Sequence, residues 1–233
     1  MTTRTALITG ASRGLGRALA DALADQGWRL VVDGRDAGRL DTAAAAFRHP
    51  AHVTAIPGDV ADPAHRAALA EAVGLRLDLL VNNASELGPS PLPPLADLDP
   101  DDFLRVLAVN AVAPLALAQA VLPALRSASG AVVDISSDAA VEAYAGWGGY
   151  GASKAALDQL TAVLAVENPT LRVYAVDPGD MATDMHQAAF PGEDISDRPT
   201  PESVVPSLLA LIESDRPSGR YRALDLAPAE ARR

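Results

Sequence analysis

Tyr150 and Lys154 have the types and the spacing of an acid–base pair. They stand four residues apart in Tyr150-Gly151-Ala152-Ser153-Lys154, so a helix would place both on one face. An unperturbed Tyr has a pKa near 10, and an ammonium about 4 Å away contributes roughly 4 kcal/mol at an effective dielectric of 20. Lys154 is therefore expected to lower the pKa of Tyr150 by up to about three units, toward neutrality. Tyr150 would then donate a proton to a carbonyl oxygen during reduction, or remove it during oxidation.

A glycine-rich segment near the N-terminus has the composition of a phosphate-binding turn. Gly10-Ala11-Ser12-Arg13-Gly14-Leu15-Gly16 joins a predicted strand, Thr5–Thr9, to a predicted helix, Gly14–Gln26. Glycines let a phosphate approach the backbone, and the N-terminus of a helix supplies free N–H groups. The spacing does not fit the G-x-G-x-x-G form, so a tight turn without a ligand stays open as the alternative.

These motifs, in this order, resemble the short-chain dehydrogenase/reductase family. Thr9-Gly10-x-x-x-Gly14-x-Gly16 matches the family's cofactor fingerprint, and further matches extend the resemblance over nearly the whole chain. The resemblance implies hydride transfer between NAD(P)(H) and a carbonyl carbon, with Lys154 also holding the cofactor ribose. Ser137 lies thirteen residues before Tyr150, the family's spacing for a catalytic Ser that stabilises charge on the substrate oxygen. Ser136 is the alternative if the register slips.

Asn110 matches the family's fourth catalytic residue. It lies inside a long predicted helix, although Asn is a poor helix former. Pro114, four residues later, has no N–H to bond the Asn110 carbonyl. We expect a kink there, with the free carbonyl holding a water that links Lys154 to solvent. A kink that serves only packing is the alternative.

Charge at the end of the second predicted strand favours NADPH over NADH. In the family register, an NAD-selecting acid would fall at position 34, which is Gly34, and Arg35 follows it. Arg35 and Arg13 could together clamp a 2′-phosphate. A shift of one residue would instead put Asp33 on the ribose and favour NADH.

The resemblance implies further cofactor contacts at the strand ends. Asp59 would bind the adenine, unless it only precedes a helix. Asn82-Asn83-Ala84-Ser85 resembles the family's Asn-Asn-Ala-Gly, with Ser85 in place of the glycine. The complete predicted cofactor set is Thr9, Gly10, Ser12, Arg13, Gly14, Leu15, Gly16, Arg35, Asp59, Val60, Asn82, Asn83, Ala84, Tyr150, Lys154, Pro178, Gly179, Met181 and Thr183.

Composition excludes several other classes of protein. The 233 residues include 30 Asp and Glu against 19 Lys and Arg, so a chain of net charge −11 should repel nucleic acid and anionic membranes. It has no Cys, no signal peptide and no His, Asp or Glu group with metal-ligand spacing. Apolar runs such as Ala111–Leu117 are too short for a membrane span. We expect a cytoplasmic protein whose ligands are NADP(H) and a small carbonyl compound, without a metal.

Apolar runs alternate with helical periodicity along the whole chain, which predicts an α/β fold. The predicted strands are Thr5–Thr9, Leu30–Val32, Val53–Ile56, Leu77–Val81, Ala131–Ile135, Leu171–Val176 and Tyr221–Leu226. The predicted helices are Gly14–Gln26, Ala37–Phe47, Pro63–Val73, Pro100–Leu125, Gly149–Val166 and Pro201–Ile212. Such units form a doubly wound, Rossmann-type parallel sheet in three layers. The resemblance implies seven strands in the order 3-2-1-4-5-6-7, in one domain over residues 1–233 with a small substrate loop at about 180–200.

Three loops bound the predicted substrate pocket: Glu86–Pro94, Ala139–Trp147 and Met181–Phe190. Their apolar candidates favour a small, mostly apolar ketone or aldehyde, and these are Met181, Met185, Phe190, Tyr144 and Trp147. His186 is expected on the loop surface. A catalytically silent NADP(H)-binding regulatory protein is the alternative function. A nucleotide-sugar epimerase or dehydratase is a third, for whose substrate domain 233 residues leave little room.

The resemblance also implies a homodimer. Its interface would use the helices Pro100–Leu125 and Gly149–Val166, with an apolar stripe of Ala116, Leu117, Ala120 and Val163. The end of the chain, Gly219–Arg233, departs from the family's apolar, Gly-rich ending. A tetramer formed through that end is therefore left open.

Overall fold

Seven short, mostly apolar runs form the strands of a single parallel sheet. The computed structural model describes residues 3–226. Its strands are β1 (Thr5–Ile8), β2 (Arg29–Gly34), β3 (Val53–Pro57), β4 (Leu79–Asn82), β5 (Ala131–Ile135), β6 (Arg172–Asp177) and β7 (Gly219–Arg222). Their order, β3-β2-β1-β4-β5-β6-β7, confirms the prediction, and every pairing is parallel. Because β1, β4 and β5 are buried along their whole length, their sequences do not alternate between apolar and polar residues.

Helices connect the strands and cover both faces of the sheet. They are α1 (Gly14–Asp25), α2 (Ala37–Ala46), α3 (Pro63–Val73), α4 (Pro100–Leu107), α5 (Ala113–Ala128), α6 (Gly148–Glu167), α7 (Asp184–Ala189), α8 (Pro201–Ile212) and α9 (Ala223–Leu226). Three Asp side chains, Asp36, Asp62 and Asp99, accept hydrogen bonds from N–H groups in the first turns of α2, α3 and α4. Such caps satisfy N–H groups that the helix itself leaves free, and they fix where these helices begin.

Alternate residues of the buried strands point into two separate cores. Ile8 packs on one face of the sheet with Leu19 of α1 and Leu208 of α8. Leu7, its neighbour in β1, packs on the other face with Leu69 of α3. The sheet is therefore the middle of the three predicted layers, and its carboxyl edge is left free for a site.

The long helix predicted over Pro100–Leu125 is divided into three parts. A π-helical turn, Ala108–Val112, separates α4 from α5 and contains Asn110. It lies directly before Pro114, where the missing N–H predicted a break in the helix. The irregularity is thus where we expected it. Whether the Asn110 carbonyl holds a water stays a prediction.

Two predicted elements near the end of the chain differ from the structure. The last strand was predicted at Tyr221–Leu226 but is Gly219–Arg222, and α9 follows it at once. Its strand residues are only partly buried because β7 is an edge strand, so no apolar run marks its start. The substrate loop contains the short helix α7, which was not predicted. The sequence of Gly219–Arg233 departs from the family's apolar, Gly-rich ending. Residues 227–233 of that segment lie outside the described residues.

The helical stretch Pro100–Ala128 is, by length and composition, apolar enough to cross a membrane. It has 29 residues and a mean hydropathy of 1.8 in its most apolar window. Length and composition alone do not make it a membrane span, because a buried core helix passes the same test. Half of that window is buried inside the fold, where Leu117 and Val121 belong to the core.

Gly16 is required by packing at the start of α1. A Cβ atom there would lie within 2.5 Å of the Gly10 carbonyl oxygen and equally close to Asn83 Nδ2. Gly38, in α2, offers a matched control because a Cβ atom there would meet nothing closer than 3.6 Å.

We expect Gly16→Ala to lower the free energy of unfolding by about 1–3 kcal/mol, because the added methyl overpacks rigid backbone. Gly38→Ala should instead raise it by roughly 0.5–1 kcal/mol through helix propensity. Urea unfolding of both variants measures the difference. Equal stability of the two variants would show that the close approach of Gly16 is not needed.

Candidate active site

The carboxyl ends of the strands open into one cleft of about 1290 Å³. The glycine turn lies at one end of it and helix α6 at the other. The predicted site residues that line the cleft are Gly10, Ser12, Arg13, Gly14, Leu15, Arg35, Asp59, Val60, Asn83, Ala84, Ser137, Tyr150, Lys154, Pro178, Gly179, Met181 and Thr183. Motifs that are far apart in the sequence therefore lie together along one cleft.

Four predicted site residues, Thr9, Gly16, Asn82 and Asn110, do not line the cleft and support it instead. The Thr9 hydroxyl accepts hydrogen bonds from the N–H groups of Asn83 and Ala84, which ties the end of β1 to the end of β4. Asn82 Nδ2 donates to buried Asp134 at 2.7 Å. Their polar groups are used within the fold. That Thr9, Gly16 and Asn82 contact the cofactor, and that Asn110 takes part in catalysis, stay predictions.

Asp33 lines the cleft and fixes the glycine turn. Its Oδ1 accepts from Gly10 N at 2.6 Å, and its Oδ2 lies 3.0 Å from His65 Nε2. The side chain is buried, and burial raises its pKa, although the bonds to His65 and Gly10 oppose that increase. Both carboxylate oxygens therefore already have partners within the fold, and the alternative in which Asp33 binds the ribose stays an untested prediction. No spacing rule points from Asp33 to this partner, because His65 is 32 residues away.

Three guanidinium groups lie at the glycine-turn end of the cleft. Arg13 and Arg39 both reach Asp184 at the start of α7, and Arg39 also lies 3.5 Å from Asp36. Arg35 pairs with Glu86 at 2.9 Å. Arg39 lines the cleft but was not predicted, since a single Arg on a helix gives no signal by itself. Two guanidiniums that converge on one carboxylate form a site where a phosphate can bind.

Asp59 is more constrained than predicted. Its Oδ1 accepts from Ala61 N, and its Oδ2 accepts from Arg105 at 2.6 Å. These bonds and the charge of Arg105 hold the pKa of Asp59 below its ordinary value, against the opposing effect of burial. The carboxylate lines the cleft with both oxygens in use, so its contact with an adenine stays a prediction.

Tyr150 and Lys154 lie one turn apart on α6, and both are buried. Lys154 Nζ donates to the Ile135 carbonyl at 2.7 Å and lies 5.6 Å from the centre of the Tyr150 ring. Burial lowers the pKa of Lys154 to about 8, although the nearby carboxylates of Asp134 and Asp158 favour the charged form.

The predicted decrease in the pKa of Tyr150 was wrong for the chain by itself. Burial raises this pKa to about 12, while hydrogen bonding to the hydroxyls of Ser85 and Ser137 opposes the increase. Burial outweighs the effect expected of a neighbouring ammonium because the ring is enclosed, with Trp147 packed edge-on at 5.6 Å. Tyr150 therefore holds its proton at neutral pH.

Ser137 lies at the end of β5, beside Tyr150. Its hydroxyl donates to Asp138 Oδ1 at 2.9 Å and accepts from Ala139 N at 3.2 Å. Ser136 also lines the cleft, but its hydroxyl is buried and has no hydrogen-bond partner in the described part of the chain. Ser137 acts to lower the pKa of Tyr150, which favours Ser137 of the two candidates.

Asn110 holds the substrate-side loop against α6 with its side chain. Oδ1 accepts from Glu86 N at 2.7 Å and from the Ser85 hydroxyl, while Nδ2 donates to the Glu86 carbonyl and to Ser153 Oγ. Ser85, which replaces the glycine of the family motif, is not among the residues with positive φ, so a side chain costs no strain there. Its hydroxyl instead joins the contacts of Tyr150.

The wall beyond Tyr150 combines aromatic, thioether and acidic side chains. The five predicted pocket residues, Met181, Met185, Phe190, Tyr144 and Trp147, all line the cleft. His186 also lines it and packs on Phe190 with ring centres 4.9 Å apart, so its predicted place on the loop surface was wrong. Asp138 and Asp180 make this wall more acidic than expected. Within residues 3–226, no group of three His, Asp or Glu side chains could hold a metal ion.

Comparison with known proteins identifies the family. A family model described as short chain dehydrogenase matches residues 4–194. The uncharacterised oxidoreductase YciK of Escherichia coli K12 is 34% identical over 221 residues, which cover 91% of this chain and 87% of YciK. Sepiapterin reductase of Mus musculus is 36% identical over 199 residues, covering 78% and 76%.

Solved structures agree with these sequence matches. A chain from Escherichia coli CFT073, assigned to the short-chain dehydrogenases and crystallised with NADPH, superposes with a TM-score of 0.88 at 33% identity, over 96% of this chain and 97% of its own. One from Shigella flexneri, complexed with NADP, gives 0.88 at 31% identity, over 96% and 98%. With its parallel sheet, its glycine turn and the Tyr150–Lys154 pair in one cleft, the chain belongs to the short-chain dehydrogenase family of oxidoreductases.

Proposed function

We propose that this chain is an NADPH-dependent carbonyl reductase that acts on a small ketone or aldehyde. The observation that carries the proposal is the position of Ser137, Tyr150 and Lys154 on one wall of a cleft whose other end holds the glycine turn and three Arg side chains. Relatives named as reductases and structures crystallised with NADP or NADPH support it.

The glycine-turn end fits the phosphates of a dinucleotide. Arg13 precedes helix α1 without a side-chain cap, so the first N–H groups of the helix are left for an anionic ligand. Gly14 has a positive φ and faces open space, because a Cβ atom added there would meet only the Thr183 methyl at 3.8 Å. In this proposal the backbone of the turn holds the pyrophosphate.

Arg13, Arg35 and Arg39 supply the preference for NADPH. A 2′-phosphate would take the place of carboxylates that now pair with these guanidiniums, such as Asp184. No acidic side chain competes for the ribose from position 34, which is Gly34, and Asp33 is occupied by Gly10 and His65.

Each residue of the catalytic wall then has a role. NADPH held in this cleft would supply the hydride that the carbonyl carbon takes up. As the electron pair of the C=O bond moves to the oxygen, Tyr150 gives that oxygen its proton, and its pKa of about 12 keeps the proton available at neutral pH. The Ser137 hydroxyl donates to the same oxygen in place of Asp138. Lys154 holds the ribose, and a proton returns to Tyr150 by way of Lys154 and water at Asn110.

The substrate is a neutral carbonyl compound with an apolar or aromatic part. Trp147, Met185 and Phe190 offer contacts for that part. The carboxylates of Asp138 and Asp180 would repel an anionic substrate. Neutral ketones should therefore be better substrates than ketones of the same size that carry a carboxylate.

A homodimer through α4, α5 and α6 is the proposed assembly. Leu104, Val112 and Val163 are exposed on α4, on the turn before α5 and on α6. A partner subunit would cover these apolar side chains. Leu117, which was predicted to belong to the interface, is 1% exposed and packs in this chain's own core instead.

Tyr150→Phe should abolish reduction while cofactor binding persists, because it removes the proton and leaves the shape. We expect kcat to fall at least about 100-fold, measured as NADPH oxidation over a panel of neutral ketones and aldehydes. Tyr221→Phe is the control, since its hydroxyl bonds only the Pro217 carbonyl in the described part of the chain. Unchanged turnover in Tyr150→Phe would contradict the assigned acid.

Arg35→Ala and Arg39→Ala should each reduce kcat/KM for NADPH by about tenfold and leave NADH nearly unaffected. One charge-assisted hydrogen bond to a phosphate accounts for a change of this size. Arg48→Ala, which removes an exposed ion pair with Asp25, is the control. If the wild type prefers NADH and these substitutions do not alter that preference, the guanidinium groups do not select the cofactor.

A further inference from the structure

Arg220 links three parts of the catalytic wall from the edge strand β7. Its Nε donates to Asp158 Oδ2 at 2.9 Å, and its Nη2 donates to the Ser137 carbonyl at 2.8 Å. The same Nη2 lies 3.8 Å from Asp177 Oδ2. Arg220 is partly buried, with 27% of its side chain exposed. It does not line the cleft, and no family motif contains it.

Each of these contacts reaches a segment that carries a site residue. The Ser137 carbonyl belongs to the catalytic Ser itself. Asp158 lies one helical turn after Lys154 on α6, and its charge acts on the Lys154 ammonium. Asp177 ends β6, and its Oδ1 accepts from Gly179 N at 3.0 Å, in the turn that lines the cleft.

Charge balance alone does not require this arrangement. A buried ion pair adds little net stability, and apolar side chains of similar size commonly replace one without loss. Asp158 Oδ1 is buried without a hydrogen-bond partner among residues 3–226, so the pair is not even fully satisfied. The planar guanidinium differs from other cations in holding several acceptors in a fixed geometry. Its contacts to β5, α6 and the loop after β6 use that property.

We propose that Arg220 is a positioning residue that fixes the Ser137 backbone relative to α6 and to the Pro178–Gly179 turn. The inference rests on the proposed function and deepens it. A displacement of about 1 Å at a reacting group can lower a rate by about 100-fold, so loss of this link should act on kcat. NADPH binding should change little, because the Arg side chains at the end of β2 are three strands away from β5, roughly 14 Å.

The test is a cycle of Arg220→Met, Asp158→Asn and the double variant, with Arg48→Met as the control for loss of an exposed ion pair. For each protein, kcat at saturating NADPH, the Kd of NADPH from its fluorescence and the melting temperature are measured. We expect Arg220→Met to lower kcat at least about tenfold, while the Kd of NADPH changes less than about threefold. Arg48→Met should resemble the wild type in all three.

The double variant separates positioning from charge balance. It removes the Asp158 carboxylate that Arg220 pairs with, and Asp177 keeps the charge of Arg222 nearby, so it should regain most of the melting temperature that Arg220→Met loses. Its kcat should stay as low as that of Arg220→Met, because the Ser137 carbonyl still lacks its donor. Recovery of kcat to the level of Asp158→Asn would show that Arg220 only neutralises Asp158, and would overturn the proposal.

Failure of the proposed function gives a different result. If no carbonyl compound in the panel causes the wild type to oxidise NADPH, the reductase assignment fails. The positioning role is then tested by the NMR signal of Lys154. Lys154 is the only Lys of the chain, so lysine labelled with ¹³C and ¹⁵N gives one side-chain NMR signal. We expect this signal to differ between the double variant and Asp158→Asn, which both lack the Asp158 carboxylate, and to stay unchanged in Arg48→Met. The same signal in the double variant and in Asp158→Asn would overturn the positioning role.

Discussion

The buried ammonium of Lys154 is the constraint around which the catalytic half of the molecule is arranged. An unpaired charge in a protein interior is expensive, and the group loses its proton unless carboxylates or carbonyls compensate it. Here the Ile135 carbonyl accepts directly from Nζ, and Asp134 and Asp158 supply opposite charge. Those carboxylates are themselves held, Asp134 by Asn82 and Thr161, and Asp158 by Arg220. One cation therefore accounts for polar groups on β4, β5, α6 and β7.

Many residues of the family motifs serve the cleft without facing it. Thr9 and Asn82 form hydrogen bonds that join the ends of neighbouring strands. Asn110 forms hydrogen bonds with the loop that follows β4. Asp33 does the same for the glycine turn. Because a parallel sheet brings its carboxyl ends to one edge, these bonds set the distances across the cleft. Motif residues and cleft-lining residues are therefore overlapping but different sets.

Most element bounds could be predicted from the sequence, because apolar runs, Asp caps and prolines act locally. The strand order was predicted from the family resemblance. The bounds of β5, α3 and α8 were predicted to the residue. The start of β7 was missed because an edge strand needs no apolar run. Contacts such as Asp33–His65 and Arg220–Ser137 join residues 32 and 83 positions apart, and no spacing rule connects them. The direction of the Tyr150 pKa shift was missed because it depends on burial, which the Tyr–Lys spacing does not report.

The most direct test of this arrangement is the pKa of Lys154 in the intact chain. With ¹³C-labelled lysine, the single Lys side chain can be titrated by NMR from neutral to strongly alkaline pH without assignment. We predict a midpoint near 8, because burial disfavours the ammonium more than its carboxylate neighbours favour it. A midpoint near the ordinary value of 10.5 would show that the ammonium is solvated or fully compensated, and would contradict the central place given to it here.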